Sequence, residues 1–217
     1  MELTIRELCG GKVPATNREL WDMEDQAYQS TPKKMMNGWV LLDPYSIGVK
    51  CYLKGKNIVC AIRGTKDVRD IQADLQILYS GLTKSSRYKE DVRIIEEIQS
   101  IFPRSAGFKY YGVGHSLGGA ILDELIDNGY LLEGLSYNPA VDLVKFRNDT
   151  RNKRIYNEDD ILYNTMGRFT KNPEVRKNKR GITTTLINTL IPFGKVGTSI
   201  QAHLLRNFEG GFYLILN

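Results

Sequence analysis

The chain has 217 residues, of which 41% are hydrophobic and 25% charged, and its net charge is +5 at pH 7. This composition is that of a globular protein with one core, and it predicts a single domain over residues 1–217. Its apolar runs fall short of the roughly 18 residues of a membrane span. Its charged start, residues 1–8, lacks the apolar stretch of a signal peptide. A cytoplasmic or virion-associated protein is expected.

Cysteine and histidine are too scarce to indicate a disulfide framework or a metal site. The cysteines, Cys9, Cys51 and Cys60, are odd in number and lack C-x-x-C spacing, so we expect small buried thiols in a reducing compartment. The two histidines of the sequence are His115 and His203. Any histidine that acts as a general base must be one of these two.

The positive charge is concentrated in one region. Residues 145–180 contain eleven Lys and Arg against five Asp and Glu. Such a region favours an anionic partner, a lipid surface or nucleic acid, or else is a solvated loop. Because no nucleic-acid-binding motif accompanies it, we expect no nucleic acid partner.

The first half of the chain predicts a helix followed by a group of antiparallel strands. Residues Asn17 to Gln29 carry apolar side chains at helical spacing, with Asn17 as the expected N-cap. Three strand-like runs follow, and a Lys-Gly-Lys-Asn turn at 54–57 joins the last two. These runs are Trp39 to Leu42, Gly48 to Leu53 and Asn57 to Ile62.

The second half alternates helices and strands. A helical stripe runs from Arg87 to Ile101 and ends before a proline. Strand-like runs begin at Tyr110 and cover 132–137 and 154–157, and a last run at 211–216 predicts an edge strand. This alternation predicts an α/β fold, a mainly parallel sheet with helices on both faces and an antiparallel N-terminal lead-in.

The most informative motif lies at residues 110–120, where an apolar, aromatic run meets Gly-His-Ser-Leu-Gly and then a helical pattern. This is the sequence form of a nucleophile elbow, a strained turn between strand and helix that raises a serine hydroxyl above the sheet. Ser116 is therefore the candidate nucleophile, and the elbow predicts the Leu117 N–H as an oxyanion donor. The glycine spacing could also open a dinucleotide-binding unit, but no acidic residue ends the next strand, 135–138, to hold a ribose.

A serine hydroxyl needs a base to take its proton and an acid to orient that base. His115 would point into the supporting structure, because neighbouring side chains diverge at an elbow, so His203 is the candidate base. In folds with such an elbow the acid stands between the serine and the histidine along the chain. The candidates at the end of a strand are Glu158, Asp159 and Asp160.

Three separated motifs resemble the class 3 lipases, the fungal-lipase-like family of the α/β-hydrolase fold. The run Ile-Arg-Gly-Thr at 62–65, with Asp-Leu at 74–75, resembles the family's apolar-Arg-Gly-Ser/Thr block. Residues 114–120, GHSLGGA, match the family's elbow, including the histidine before the serine. Asn157, followed by Asp-Ile-Leu at 160–162, resembles the family's acid motif and favours Asp160.

The resemblance covers roughly residues 27–205. It implies a catalytic triad of Ser116, Asp160 and His203, with Thr65 as the oxyanion residue beside Leu117, and catalysis without metal or organic cofactor. The family's glycine and proline block after the elbow is reduced here to Ser-Tyr-Asn-Pro-Ala at 136–140, and the chain is shorter than the secreted fungal enzymes. These departures concern the acyl pocket and the substrate more than the triad.

Two amphipathic runs accompany these motifs. Residues 66–80 have apolar side chains at helical spacing and are similar to the lipase lid, although a helix docked on the core has the same pattern. Residues 182–193 follow the basic residues Arg176, Lys177, Lys179 and Arg180. That combination suits peripheral contact with anionic lipids, or a segment packed over the mouth of the active site.

The motifs and the resemblance together predict a serine carboxylic-ester hydrolase, a lipase or phospholipase A1-like enzyme that cleaves acyl esters of glycerol lipids. A small-ester esterase or an acyltransferase would use the same triad, and a thioesterase or peptidase would share the fold. A membrane-binding module without activity is the remaining alternative.

Overall fold

The computed structural model describes residues 14–43, 46–65, 81–142, 145, 149–158, 160–171 and 173–176. Several predictions made above concern residues outside this set. They are His203, Asp159, Cys9, the lid-like run 66–80, the basic residues Lys177, Lys179 and Arg180, the run 182–193 and the strand 211–216.

In the described part of the chain, eight strands form one sheet whose spatial order is the order of the chain, β1 to β8. The first four strands pair antiparallel, and β4 through β8 pair parallel. Their bounds are β1 Met35–Met36, β2 Trp39–Leu41, β3 Val49–Lys54, β4 Asn57–Ile62, β5 Lys109–His115, β6 Gly134–Tyr137, β7 Asn152–Asn157 and β8 Glu174–Arg176. The predicted antiparallel lead-in and parallel sheet are both confirmed.

The central strands are buried on both sides, as their sequences require. All of β5 except its first residue is buried, and so is all of β4 except its first residue. Parallel strands covered on both faces read as nearly continuous apolar runs, which β4, Asn-Ile-Val-Cys-Ala-Ile, illustrates. The turn before it contains Gly55 at φ +60°, a conformation that suits glycine.

Four α-helices are described, α1 Asn17–Ala27, α2 Ser86–Ile101, α3 Leu117–Asp127 and the short α4 Ile161–Thr165. The prediction that Asn17 caps α1 is wrong, because Thr16 is the N-cap. Its hydroxyl accepts from the Glu19 N–H at 3.1 Å, while the Glu19 carboxylate accepts from the Thr16 N–H at 2.8 Å. This reciprocal pair is a capping box, which the Thr-x-x-Glu spacing at 16–19 favours.

The helices lie on both faces of the sheet, as predicted. Apolar side chains of α1, among them Leu20 and Met23, pack with Val59 and Val113 on one face. Apolar side chains of α2 and α3 pack on the other face with Ile58, Cys60 and other core residues. Among the described helices, none combines the length and the apolar character that crossing a membrane requires.

Two of the predicted buried thiols face each other across the hairpin of β3 and β4. Cys51 and Cys60 are directly opposed in the register, and their Sγ atoms lie 3.1 Å apart. Both are free cysteines in the core. The contact with Cys60 and burial raise the pKa of the Cys51 thiol well above its usual range, so it stays protonated.

Candidate active site

Ser116 stands at the turn between β5 and α3 in the backbone conformation that a nucleophile elbow demands. Its φ is 56° and its ψ is −126°, a strained region for a residue with a Cβ. Its N–H donates to the Tyr137 carbonyl at 3.2 Å, and its carbonyl accepts from the Ala140 N–H at 3.0 Å. These bonds fix the turn to the end of β6, so the strain is held in place by the sheet.

The two glycines of the elbow permit close packing of β5, α3 and the end of β4. A Cβ on Gly114 would lie 2.7 Å from the Gly118 carbonyl oxygen, inside van der Waals contact. A Cβ on Gly118 would lie 2.8 Å from the Ile62 carbonyl carbon and 2.9 Å from that of Arg63. The first turn of α3 therefore rests directly on the end of β4.

The segment that follows β4 lies beside Ser116. A Cβ on Gly64 would fall 2.8 Å from the Ser116 Cβ, so Thr65 follows a residue in contact with Ser116. The Thr65 hydroxyl is buried and has no hydrogen-bond partner among the described residues. Leu117 is the first residue of α3, and the N–H groups of a first turn have no acceptor within their own helix. Ser116 is thus flanked by the segment that contains Thr65 and by the first turn of α3.

Asp160 stands where the acid of the site was predicted, just past the carboxyl end of β7. It is fully buried and caps α4, because its Oδ1 accepts from the N–H groups of Leu162 at 2.7 Å and Tyr163 at 3.0 Å. These bonds fix the carboxylate in one orientation. Since β4, β5 and β7 run parallel, Thr65, Ser116 and Asp160 all lie at the same edge of the sheet, where ligands bind in open α/β sheets.

Of the two histidines, the structure describes only His115. His203 lies outside the described residues, so its role stays a prediction. His115 is buried, and its Nδ1 lies 2.7 Å from the Tyr28 hydroxyl, which agrees with the expectation that it points into the supporting structure. Within the residues described, no three acidic, histidine or cysteine side chains are grouped so as to hold a metal ion.

Near the edge of the sheet that carries Ser116 lies a group of charged side chains, Glu24, Arg87 and Asp91, that the sequence did not reveal. Glu24 is fully buried, and burial raises the pKa of its carboxyl well above the usual range despite the nearby Arg87. Arg87 forms an ion pair with the buried Asp91, Nε to Oδ2 at 2.8 Å. Burial likewise raises the pKa of Asp91, to about 6. Tyr28, the C-cap of α1, lies near Glu24 and Arg87, and no spacing pattern in the sequence distinguished it.

Comparison with known proteins gives structural neighbours. The chain is similar to the crystal structure of the Lip2 lipase from Yarrowia lipolytica, with 19% identity and a TM-score of 0.43 over 66% of this chain and 70% of that one. It is also similar to the crystal structure of the N225Q mutant of MDLA from Penicillium cyclopium, with 17% identity and a TM-score of 0.49 over 85% of this chain and 91% of that one. No protein-family model matches the sequence, and a search of curated proteins found no match.

The fold assignment itself stands on the sheet order, the helices on both faces and the elbow at Ser116. The chain has the α/β-hydrolase fold. The fold that the motif resemblance implied is therefore confirmed by the sheet and the elbow.

Proposed function

We propose that the protein is a serine carboxylic-ester hydrolase, a lipase or phospholipase that cleaves acyl esters of glycerol lipids. Ser116 is the nucleophile, His203 the base, and Asp160 the acid that orients it. The N–H of Leu117 and the N–H and hydroxyl of Thr65 bind the oxyanion. The support comes from the strained elbow, the fixed buried carboxylate of Asp160 and the lipase resemblance of three motifs.

The reaction proceeds through an acyl-enzyme. His203 takes the proton of the Ser116 hydroxyl as its oxygen attacks the ester carbonyl, and the carbonyl oxygen becomes an oxyanion. Collapse of this intermediate breaks the ester bond, and His203 returns the proton to the departing alcohol. Water, deprotonated by His203, then attacks the acyl-enzyme and releases the fatty acid together with free Ser116.

The observation that carries the proposal is the contact between Gly64 and Ser116. A nucleophile is useful for acyl transfer only if donors stand beside it where the oxyanion forms. Gly64 brings the neighbouring Thr65 to Ser116, and the Thr65 hydroxyl is left without a partner in the described part of the chain. Buried polar atoms without a partner are rare, and a catalytic role is one of their recognised explanations.

A lipid substrate is supported by apolar side chains near the same edge of the sheet. Ile47, which precedes β3 next to the end of β4, is 76% exposed, and Phe169, which follows α4, is 51% exposed. The basic residues Arg176, Lys177, Lys179 and Arg180 follow in the chain. Apolar and cationic side chains together favour binding to an anionic lipid surface.

The test is hydrolysis of medium- and long-chain p-nitrophenyl esters by the wild type, Ser116→Ala and the control Ser105→Ala, whose serine is exposed in a different turn. A fluorophosphonate probe followed by peptide mass spectrometry identifies the serine that reacts. We expect Ser116→Ala to lose both hydrolysis and labelling, and Ser105→Ala to keep both. Hydrolytic activity that persists in Ser116→Ala would contradict the proposed function.

The lipid part of the proposal has its own test. Each protein is assayed with and without vesicles of anionic or zwitterionic phospholipid, at low and high salt. We expect activity to rise on vesicles, and binding to favour anionic lipid and to weaken with salt. Vesicle binding that depends on neither lipid charge nor salt concentration would contradict the proposed membrane contact. The protein would then be an esterase without that contact.

A further inference from the structure

One hydroxyl joins the two segments that make up the proposed site. The Tyr28 oxygen accepts a hydrogen bond from the Gly64 N–H at 2.9 Å and lies 2.7 Å from the His115 Nδ1. Gly64 immediately precedes Thr65, and His115 immediately precedes Ser116. A single side chain therefore contacts the residue before the proposed oxyanion residue and the residue before the proposed nucleophile.

The peptide group between Arg63 and Gly64, whose N–H donates to Tyr28, is also held at its carbonyl oxygen. The Arg63 carbonyl accepts a hydrogen bond from Arg87 Nη2 at 2.6 Å, and Arg63 C=O and Gly64 N–H belong to one peptide bond. Because a peptide group is planar, fixing its oxygen and its N–H fixes the whole plane. Arg87 is itself held by its ion pair with the buried Asp91 and by a hydrogen bond to the Gly48 carbonyl at 2.9 Å.

We propose that Tyr28 is a positioning residue for the oxyanion hole, acting with Arg87 as a clamp on the Arg63–Gly64 peptide so that Thr65 is held at a fixed distance from Ser116. This inference rests on the proposed function, since it assigns a role within that site. Tyr28 does not touch the reacting atoms. It acts through the peptide that precedes Thr65 and through the ring that precedes Ser116.

The hydroxyl is suited to this double contact because it stays protonated. Burial raises the pKa of Tyr28 far above its usual range, and the nearby Glu24 raises it further. The oxygen accepts from the Gly64 N–H, and its own proton is free to be donated to the His115 Nδ1. The hydroxyl thus bridges the peptide before Thr65 and the ring before Ser116.

The tyrosine is also held rigidly. It is the C-cap of α1, and its N–H donates to the Asp25 carbonyl at 3.1 Å. The helix is anchored to the sheet by the fully buried Leu20 and Met23. Because α1 is packed on the sheet, the Tyr28 hydroxyl has a fixed position relative to the sheet and can hold the Arg63–Gly64 peptide in place. A hydroxyl on a surface loop would not have such a fixed position.

The decisive variant is Tyr28→Phe, which removes only the hydroxyl, compared with Tyr52→Phe as the matched control. Tyr52 is also fully buried and packs in the same core cluster as α1, but its hydroxyl has no hydrogen-bond partner among the described residues. We expect Tyr28→Phe to lower kcat by about 10- to 100-fold with KM changed less than about twofold, because an oxyanion donor acts mainly in the transition state. Tyr52→Phe should match the wild type.

A purely structural role for Tyr28 would lower the melting temperature without separating kcat from KM, so thermal unfolding is measured on both variants. Arg87→Lys tests the other end of the same peptide and should give the same kcat signature, which keeps the test open if Tyr28→Phe fails to fold. If Ser116→Ala is inactive and both clamp variants have the kcat of Tyr52→Phe, the clamp is wrong and the proposed function stands. If Ser116→Ala is active, the proposed function itself fails.

Discussion

Gly64 and Ser116 lie in direct contact, although they are 52 positions apart in the chain. A Cβ built on Gly64 would fall 2.8 Å from the Ser116 Cβ, 2.5 Å from the His115 carbonyl oxygen and 2.9 Å from the Tyr28 hydroxyl. The first two are a Cβ and a backbone atom, and the Tyr28 hydroxyl is held by its contacts with the Gly64 N–H and the His115 Nδ1. The close approach of β4's end to the elbow therefore depends on the absence of a side chain at position 64.

The first prediction concerns Gly64→Ala. The added methyl group must push the 63–65 segment away from Ser116, so we expect kcat for p-nitrophenyl esters to fall by about 100-fold or more through the misplaced oxyanion donors. Overpacking should also lower the free energy of unfolding by about 1–3 kcal/mol. Kinetics and chemical denaturation of the same preparation measure the two effects. An alanine variant with wild-type kcat would contradict the packing described here.

The second prediction separates the two roles of Asp160, as a cap of α4 and as the proposed acid. Asparagine is as good an N-cap as aspartate, so Asp160→Asn should keep the bonds to the Leu162 and Tyr163 N–H groups and unfold near the wild-type temperature. Its charge is lost, however, and an imidazole partnered by an amide is held in the wrong tautomer. We expect kcat to fall by about 10³- to 10⁴-fold.

Asp160→Ala is the comparison for that variant. It removes the cap as well as the charge, so it should lose a similar factor in kcat and a further free energy of unfolding of about 1 kcal/mol. Equal activity of Asp160→Asn and the wild type would limit Asp160 to capping. The acid of the triad would then have to be sought elsewhere.

The third prediction tests the Thr65 hydroxyl. Valine has nearly the same shape but cannot donate, whereas serine keeps the hydroxyl. If the unpartnered hydroxyl binds the oxyanion, Thr65→Val should lose about 10- to 100-fold in kcat while Thr65→Ser stays within about threefold of the wild type. Steady-state kinetics at saturating ester measures both. Wild-type kcat in Thr65→Val would leave the backbone N–H as the sole contribution of this residue.

The sequence was most informative where a local pattern has one structural solution. The glycines at 114 and 118 and the apolar run before them predicted the turn at Ser116, and β4 has the bounds that its apolar run predicted. The predicted boundaries of strands were less accurate where pairing with strands distant in the chain sets the boundary. The strand expected at 132–137 begins only at Gly134, where β5 and β7 both pair with it. The strands β1 and β8, of two and three residues, were not predicted at all.

The residues that support the site could not be found from the sequence for a different reason. Tyr28, Arg87 and His115 are brought together by three elements that are distant in the chain, and each alone has an ordinary context. Tyr28 follows a helix whose apolar spacing explains it as a packing residue. Its two hydrogen bonds depend on how α1 crosses the ends of β4 and β5, which no local pattern encodes.

The fourth prediction concerns stability rather than catalysis. Asp123 of α3 and Arg154 of β7 form an ion pair, Oδ1 to Nη2 at 2.8 Å, with side chains 0% and 1% exposed. Asn152 also donates to the Asp123 Oδ1, at 2.7 Å. Asp123→Leu leaves the Arg154 charge buried without its partner, so the free energy of unfolding should fall by about 3–5 kcal/mol.

The double variant Asp123→Leu/Arg154→Met distinguishes a buried charge that lacks a partner from a simple packing defect. Removing both charges takes away the uncompensated guanidinium, so the double variant should regain most of the stability that the single variant loses. Urea denaturation of the two single variants and the double variant gives the interaction free energy of the pair. Stability losses that simply add would show that the link between α3 and β7 depends on packing and not on this ion pair.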